Sequence, residues 1–469
     1  MNSVSSCRRK QGLLCVLLQL LGEWAPAFAQ QRSARRAAVQ ALGILAAFGR
    51  RTLARAICAI GQQQQDWSAE YRLHARANWE VNALFQPILR RAMPCVDGRY
   101  VCAAIDDTRL RKTGRRIHSA FYQRDPLSPK FRFNLMFGLR FLQISLLLPL
   151  YRQHSASPRA LPVRFEEVPA LKHPSRRASA AEWEAWRKAV KSNNLSTAAV
   201  AMIAGLRASL DQAGASRKHL LMAGDASFCN RTLFSAVFDR TDIITRTRRD
   251  LRLCRQDTTA SRCFYDKQKF TPEQVRQDES IAWCTARVFH GGEWRDVRYK
   301  EVPEIYWQTG ALKRPLRLLI VAPVPYHVAG RKRNYYRDPA YLLTTDLHGT
   351  ADELLQAYFD RWQIEVNHRE EKDTLGVGQA QLRSTRSVPR QPALVVAAYS
   401  ALLLAGLIAF GPERSSQLQP LPRWRKNARR PSCLDLVTIL RKEMAESPHL
   451  LASLGIQSDW QQLGLSAAA

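Results

Sequence analysis

The chain has 469 residues, enough for about two to four domains, and its 46% hydrophobic content is ordinary for a folded protein. Its charge is not ordinary, because 71 Lys and Arg against 40 Asp and Glu give a formal net charge of +31 at pH 7. This excess predicts a polyanionic partner, either nucleic acid or an acidic membrane surface. The ten cysteines form no Cys-x-x-Cys pair and no zinc-ligand spacing, which argues against structural zinc and indicates free thiols in a reducing cytoplasm.

The N-terminal region, residues 1–95, is expected to be helical. Residues 1–29 resemble a secretory signal peptide, with a basic start, an apolar run and a cleavage-like site of small residues. Glu23 and Trp24 interrupt the apolar run, so we expect no signal peptide. Residues 30–95 carry apolar side chains at helical spacing, with arginines on the other faces. The pattern suits a DNA-binding module, and a plain helical bundle is the alternative.

From residue 96 the chain alternates β-prone runs with helices. The runs RYVCAAIDDT (99–108), HLLMAGD (219–225) and DIITRTR (242–248) are predicted strands, and NRTLFSAVFDR (230–240) is a predicted helix. A strand, a helix and a strand at this spacing predict parallel pairing and an α/β fold.

The second half of the chain differs in composition. Residues 256–340 contain several strand-like runs separated by turns, which predicts a β-rich segment. Residues 393–410 are eighteen residues without a charge, just long enough to cross a membrane, but their many small side chains favour a buried core helix. Residues 411–469 are rich in Pro and Arg, including RWRKNARR (423–430), and end in a helical piece from about Ser432.

The stretch DELLQAYFDRWQIEVNHREEKDTLGVG (352–378) is predicted to be one helix. On a straight helix, the side chains of Tyr358, Arg361, Glu365 and Lys372 fall within an arc of roughly 60°. A carboxylate flanked by Arg, Lys and Tyr suits a metal ion beside a phosphate backbone. For this helix taken alone, the alternative interpretation is a charged face exposed to solvent.

Two further acidic positions end β-prone runs. Asp107, with Asp106 beside it, ends the first run, and Asp225 ends another. Ligands of α/β sheets bind at the carboxyl ends of strands. Carboxylate oxygens suit Mg²⁺ or Mn²⁺, and a pair of such ions can support phosphodiester cleavage.

These residues resemble the DDE transposases of bacterial insertion sequences, whose core is ribonuclease-H-like. One group carries Y-x2-R-x3-E-x6-K on the helix of its catalytic glutamate, and residues 358, 361, 365 and 372 match all four positions. The first acid of the group lies in a D-D-T context, which here selects Asp107, with Asp106 as the alternative. Its second acid ends a strand, which selects Asp225. The resemblance covers about residues 45–410.

The resemblance also implies how the chain is divided. Residues 96–255 and 341–410 would form the ribonuclease-H-like catalytic core, and residues 256–340 would be a β-rich insertion. The helical N-terminal DNA-binding region, 1–95, would precede this core, and a small basic C-terminal region, 411–469, would follow it.

The resemblance implies roles for the residues as well. Asp107, Asp225 and Glu365 would be the catalytic acids and would hold two Mg²⁺ or Mn²⁺ ions. Arg361 and Lys372 would bind phosphates of the end DNA. The remaining motif residue, Tyr358, would position the DNA strand.

The insertion contains Trp283, Trp294 and Trp307. Trp294 follows Gly291 and Gly292 in a predicted hairpin turn. It is therefore our candidate for stacking on a base flipped out of the DNA, as the resembled group allows. Packing in the core or on a sheet face is the alternative for each of the three.

The implied activity is cleavage at the ends of the protein's own insertion sequence and joining of those ends to target DNA. The partners would be double-stranded DNA, as terminal inverted repeats and target, and a second copy of the chain, forming a homodimer on DNA. We expect no membrane association and a cytoplasmic, nucleoid-associated protein. A ribonuclease-H-like nuclease or resolvase without strand transfer, and a catalytically silent DNA-binding protein, are the alternatives.

Overall fold

The structure is a computed structural model that describes residues 12–126, 128–129, 131–152, 156–259, 263–327, 333–414, 418, 429–452 and 454–456. Residues 1–11 of the signal-like stretch and most of the basic run 423–430 lie outside the described residues. The helices are α1 (Leu13–Gly22), α2 (Gln31–Ala46), α3 (Leu53–Ala59), α4 (Ser68–Ala75), α5 (Gln86–Ala92), α6 (Ala180–Ser192), α7 (Leu195–Gln212), α8 (Arg231–Phe234), α9 (Pro272–Gln277), α10 (Ala351–Asp360), α11 (Trp362–Arg369), α12 (Ser387–Phe410), α13 (Cys433–Glu446) and α14 (Pro448–Ala452). The strands are β1 (Tyr100–Arg111), β2 (Phe121–Arg124), β3 (Leu135–Leu148), β4 (Arg159–Glu167), β5 (His219–Gly224), β6 (Thr241–Arg246), β7 (Leu253–Gln256), β8 (Tyr265–Phe270), β9 (Cys284–His290), β10 (Glu293–Ile305), β11 (Leu316–Val321), β12 (Pro325–His327), β13 (Asn334–Tyr336) and β14 (Ala340–Thr344).

A mixed sheet of ten strands forms the centre of the molecule. Its order is β2-β3-β1-β5-β6-β14-β11-β10-β9, with β4 also paired to β3. β1 is antiparallel to β3 and parallel to β5, and β5 is parallel to β6. The predicted α/β class and the predicted parallel pairing are therefore confirmed. The helix predicted over 230–240 is shorter than expected, since α8 spans only Arg231–Phe234.

The central strand β5 is buried along almost its whole length. Leu220, Leu221, Met222 and Ala223 are each 0% exposed. Side chains on both faces of a strand are buried only when both faces of the sheet are covered, which is the rule for parallel strands. The apolar run HLLMAG therefore specifies the strand that ends immediately before Asp225.

The β-rich segment continues this sheet instead of packing beside it. β14 is antiparallel to β6, and β11, β10 and β9 follow outward in antiparallel order. Two short pairs, β7 with β8 and β12 with β13, stand outside the main sheet. The hairpin of β9 and β10 consequently reaches α10, with which β9 is in contact.

Helix α12 is the apolar stretch that was long enough to cross a membrane. In the structure, 78% of its most apolar window is buried inside the protein. It packs against α1, α2, α13 and β4. The expected buried core helix is confirmed, and α1, part of the signal-like stretch, is one of the helices that cover it.

The helical character of the N-terminal region is also confirmed for the residues described. Helices α1–α5 and their connecting turns make up 12–95. The C-terminal helix α13 begins where predicted, with the side chain of Ser432 capping the backbone N–H of Asp435.

Candidate active site

Asp106 and Asp225 are neighbours at the centre of the sheet. The last pair in the parallel ladder of β1 and β5 is Ile105 with Gly224, so the next residue of each chain segment is an acid. Asp225 caps the turn that follows β5, and its Oδ1 accepts hydrogen bonds from the N–H and hydroxyl of Ser227 at 2.9 and 2.6 Å. Asp225 therefore lies at the carboxyl end of β5, where α/β sheets bind ligands. Asp106 lies beside it in the middle of β1, because β1 continues along β3 to Arg111. The expectation that the first acid ends its strand was therefore wrong.

Electrostatics agree with this proximity. Burial and, after it, the negative charge of Asp225 raise the pKa of Asp106 to about 7, whereas the positive charge of Arg361 acts in the opposite direction. Two carboxylates that interact in this way favour a bound cation, which removes their mutual repulsion.

Asp107, which the sequence favoured as the first acid, points to the opposite face of the sheet. Successive strand residues alternate between faces. Ala104, two residues before Asp106, packs in a buried cluster with Ile364 of α11. Asp106 therefore faces the helix that carries Glu365, whereas Asp107 accepts a 2.9 Å hydrogen bond from Nε of Arg140 on the other face. The carboxylate that lies beside Asp225 on this face is therefore that of Asp106, and not that of Asp107.

The helix predicted over 352–378 is present but is not straight. It consists of α10, α11 and a π-helical turn, Glu370–Thr374, which we call together the glutamate helix. In the π turn the N–H of Leu375 bonds to the carbonyl of Glu370, five residues earlier, at 3.0 Å. A π turn holds more residues than an α turn, so it moves Lys372 away from the position that a straight helix predicts. The 60° arc was predicted for a straight helix, and the segment that carries Lys372 departs from that geometry.

Arg361 connects the acids of the site. Its Nη2 donates a 3.1 Å hydrogen bond to Oε1 of Glu365, and its charge acts on Asp106. Lys372 lies on the same side, because the charge of Asp106 is among those that oppose the lowering of the lysine pKa by burial. Tyr358 is half-buried against the apolar cluster beneath α10. Arg361 and Lys372 thus interact electrostatically with Asp106, and Glu365 is linked to it through Arg361.

The donor chemistry of the site fits a hard divalent cation. Asp106, Asp225 and Glu365 offer carboxylate oxygens, which Mg²⁺ and Mn²⁺ prefer. Within the described part of the chain, no three His, Cys, Asp or Glu side chains already converge as a finished metal cluster. Of the predicted ligands, Asp225 lies beside Asp106, the alternative first acid, and Glu365 is hydrogen-bonded to Arg361.

A groove of about 1130 Å³ runs beside the glutamate helix. Its wall includes four arginines: Arg246, Arg295, Arg337 and Arg361. Aromatic rings also line it, and those of Tyr336 and Trp362 are 64% and 53% exposed. Positive side chains interleaved with exposed rings suit a nucleic-acid strand, whose phosphates pair with arginine and whose bases stack. Tyr358 lines this groove.

Trp294 lies at the end of the β9–β10 hairpin near the groove. The predicted turn at Gly291 and Gly292 is present, and both glycines have positive φ. The indole is 44% exposed and makes edge contacts with the rings of Tyr151 and Phe289, at centroid distances of 5.6 and 5.7 Å. Its neighbour Arg295 lines the groove, but Trp294 itself does not.

The other two tryptophans of the segment have more covered environments. Trp307 packs edge-on against the buried ring of Phe234 at 5.7 Å. Trp283 has Arg298 and Lys300 over its ring, at about 5 Å. Trp294 is therefore the most exposed of the three.

A buried hydrogen-bond network that the sequence analysis missed fixes the hairpin to the glutamate helix. Gln356 bonds both backbone groups of Phe289, accepting from its N–H at 2.7 Å and donating to its carbonyl at 3.0 Å. It also donates to Asp360 at 2.8 Å. The sequence does contain an indication of this network. Gln356 and Asp360 are polar residues four positions apart on a helix whose neighbouring positions are apolar, so their side chains can interact.

Comparison with known proteins leaves the site to be interpreted from its own geometry. No protein-family model matches the chain, and no curated protein is significantly similar to it. The adjacent aspartates, the glutamate helix and the arginine-lined groove are therefore the features from which a function has to be argued.

Proposed function

We propose that this protein is a Mg²⁺-dependent DDE transposase, which cleaves DNA at the ends of its own insertion sequence and joins them to target DNA. The observation that carries the proposal is the adjacency of Asp106 and Asp225 where the parallel ladder of β1 and β5 ends, with Asp106 on the face of β1 that the helix of Glu365 covers. Asp106 replaces Asp107 in the proposed triad.

The strand order supports a ribonuclease-H-like core. The strands β4, β3 and β1 are antiparallel neighbours, and β1, β5 and β6 are parallel neighbours. The β-rich residues 256–340 follow β6 and precede the glutamate helix, which suits an insertion between the second and third acids of such a core. Because these strands extend the core sheet, the insertion would hold the groove in a fixed position relative to the acids.

The residues of the chain have separable tasks in this proposal. Asp106, Asp225 and Glu365 would hold Mg²⁺ or Mn²⁺, which when bound activates the attacking oxygen and stabilises the leaving oxygen. Arg361 holds the carboxylate of Glu365 and can bind a phosphate through its planar fork. Lys372 adds a second positive charge on the side of Asp106.

The groove would hold a DNA strand at the cleaved end. Tyr358 and Arg361 are on its wall together with three more arginines. Trp294 stands at the rim with an exposed indole, where it can stack on an unpaired base. The net charge of +31 supplies the attraction for duplex DNA.

The proposal also includes an assembly. Joining two ends to one target takes two active sites, so we infer a homodimer on DNA, associated with the nucleoid in the cytoplasm. Burial of α12 within the core supports this location over a membrane.

The test uses the purified protein and a linear DNA that carries the coding sequence with its natural flanks. With Mg²⁺ we expect cuts at the two borders and joining of the borders to an added plasmid, and EDTA should abolish both. Glu365→Ala and Asp225→Ala should lose both steps and still bind the borders, because metal ligands act on the chemistry.

The matched control is Asp352→Ala, which removes an exposed carboxylate from the first turn of the same helix. It should retain both steps. Cutting without joining would replace the proposal with a nuclease or resolvase. Binding of the borders without any cutting would replace it with a DNA-binding protein.

A further inference from the structure

The hairpin formed by β2 and β3 carries large apolar side chains in solvent. Phe131 is 93% exposed, Phe133 67%, Tyr122 66% and Leu135 55%. Large apolar side chains scattered singly on a surface need no explanation, but four on one hairpin form a patch that marks an interaction site.

Several of these side chains share one face of the hairpin. Tyr122 is paired with Phe137 across the ladder, with ring centroids 5.0 Å apart, and Arg124 is paired with Leu135. The guanidinium of Arg124 also lies over the ring of Phe133, at 5.9 Å from its centroid. The patch therefore combines aromatic rings with positive charge.

The charge around the patch selects its partner. In the sequence, residues 111–134 contain seven Lys and Arg against one acidic residue, Asp125. The five arginines are exposed, namely Arg111, Arg115, Arg116, Arg124 and Arg132, whereas Lys112 is buried. A second copy of the same patch would be repelled, whereas a polyanion would be attracted. Exposed aromatic rings among arginines are the composition of nucleic-acid surfaces.

The patch continues the sheet face on which Asp106 lies. Asp106 is paired with Gln143 and Leu110 with Leu139, so the odd-numbered residues of β3 share the face of Asp106. Leu135 is therefore on that face, eight positions before Gln143 along β3. At about 3.4 Å per residue, the patch begins roughly 27 Å from the level of Asp106. A DNA duplex rises about 3.4 Å per base pair, so this distance corresponds to roughly eight base pairs.

We infer that the β2–β3 hairpin is a second DNA-binding surface, which contacts duplex DNA about eight base pairs from the acids. The arginines bind phosphates, and the exposed rings contact the minor groove, where apolar side chains can wedge between base steps. The position along the DNA rests on the proposed function, whereas the binding of duplex DNA by the hairpin does not.

The experiment places a photo-crosslinking phenylalanine analogue at position 131 of the full-length protein and irradiates it with a duplex of the flanking DNA. A cross-link to DNA is expected, centred about eight base pairs from the border. The control carries the same analogue at Val237, which is 91% exposed and lies before β6, at the end of the sheet opposite the acids. It should not cross-link to DNA.

A second arm measures binding directly. The double variant Phe131→Ser and Phe133→Ser should bind a long duplex at least about tenfold more weakly, as expected for loss of ring contacts with bases. It should bind a duplex ending about four base pairs past the border as well as the parent protein does, because that DNA is too short to reach the hairpin. Val237→Ser should change neither affinity.

The outcomes separate the two hypotheses. Cross-linking to DNA without any border cutting would overturn the proposed function and keep the hairpin surface. Border cutting without a cross-link, or a cross-link to a second protein copy, would overturn the hairpin surface and keep the proposed function.

Discussion

The hydroxyl of Tyr151 donates a 2.7 Å hydrogen bond to Oδ2 of Asp360, one residue before Arg361 in the glutamate helix. Gln356 donates to the other oxygen of the same carboxylate. The ring of Tyr151 stacks on Phe289 at 4.9 Å, with 9° between the ring planes. The helix that carries the glutamate and the hairpin that carries Trp294 are thereby held as one unit.

This network predicts a pH-dependent stability. Burial raises the pKa of Asp360 to about 7, although the bonds from Tyr151 and Gln356 oppose it. Between about pH 4 and pH 7 the folded protein binds this proton more tightly than the unfolded chain does, so its contribution to the free energy of unfolding falls as pH rises. In the Asp360→Asn variant, the fall in the free energy of unfolding with rising pH should be smaller by roughly 2–4 kcal/mol. Urea unfolding of both proteins at pH 5, 6, 7 and 8 measures it, and parallel curves would contradict the prediction.

The choice between the neighbouring aspartates can be tested separately. Asp106→Asn should abolish Mg²⁺-dependent border cutting and weaken Mn²⁺ binding measured by electron paramagnetic resonance. Asp107→Asn should retain both, because its carboxylate faces Arg140 across the sheet. Loss of that charged hydrogen bond should cost about 1–3 kcal/mol of stability. Cutting by Asp106→Asn, or its loss in Asp107→Asn alone, would restore the assignment made from the D-D-T context.

The groove arginines should each contribute to the salt dependence of DNA binding. An arginine that neutralises one phosphate changes the slope of log K against log salt concentration by about 1. Arg246→Ala and Arg337→Ala should each reduce the slope by that amount, because both side chains line the groove. Arg248→Ala is the matched control, since this exposed arginine is paired with Asp250 and does not line the groove. Equal slopes for all three variants would mean that the groove holds no phosphate.

Trp294 should act on DNA more than on folding. Because its indole is 44% exposed and touches Tyr151 and Phe289 only edge-on, Trp294→Ala should change the melting temperature little. The variant should lose the fluorescence gain of 2-aminopurine placed beside the cleaved end, because stacking of about 1–3 kcal/mol no longer offsets base flipping. Trp307→Ala should show the reverse pattern, a lower melting temperature with the signal retained. A large fall in the melting temperature of Trp294→Ala would identify the indole as a core side chain.

The sequence by itself determined the elements that depend on local chemistry. The apolar run before Asp225 specifies a buried strand, because its side chains have no polar alternative to the core. The glutamate helix begins after Thr350, whose side chain and that of Glu353 cap each other's backbone N–H groups. It stops before Gly376 and Gly378, which take the positive φ that other residues avoid. Helix α12 is buried because removal of the apolar side chains in its eighteen uncharged residues from water is favourable.

Only the tertiary structure decided which of two adjacent acids shares a face with the helix of Glu365 and lies beside Asp225. A strand alternates its faces with a period of two, so either Asp106 or Asp107 satisfies the same sequence pattern. The choice depends on which face of β1 the glutamate helix covers, and Ile364, more than two hundred and fifty residues later, makes that contact with Ala104. The apolar periodicity of the sequence likewise predicts a regular helix and not the π turn that contains Lys372, because that turn depends on how the end of the helix packs. Contacts between residues so far apart in the chain are a property of the folded core, and no local pattern carries them.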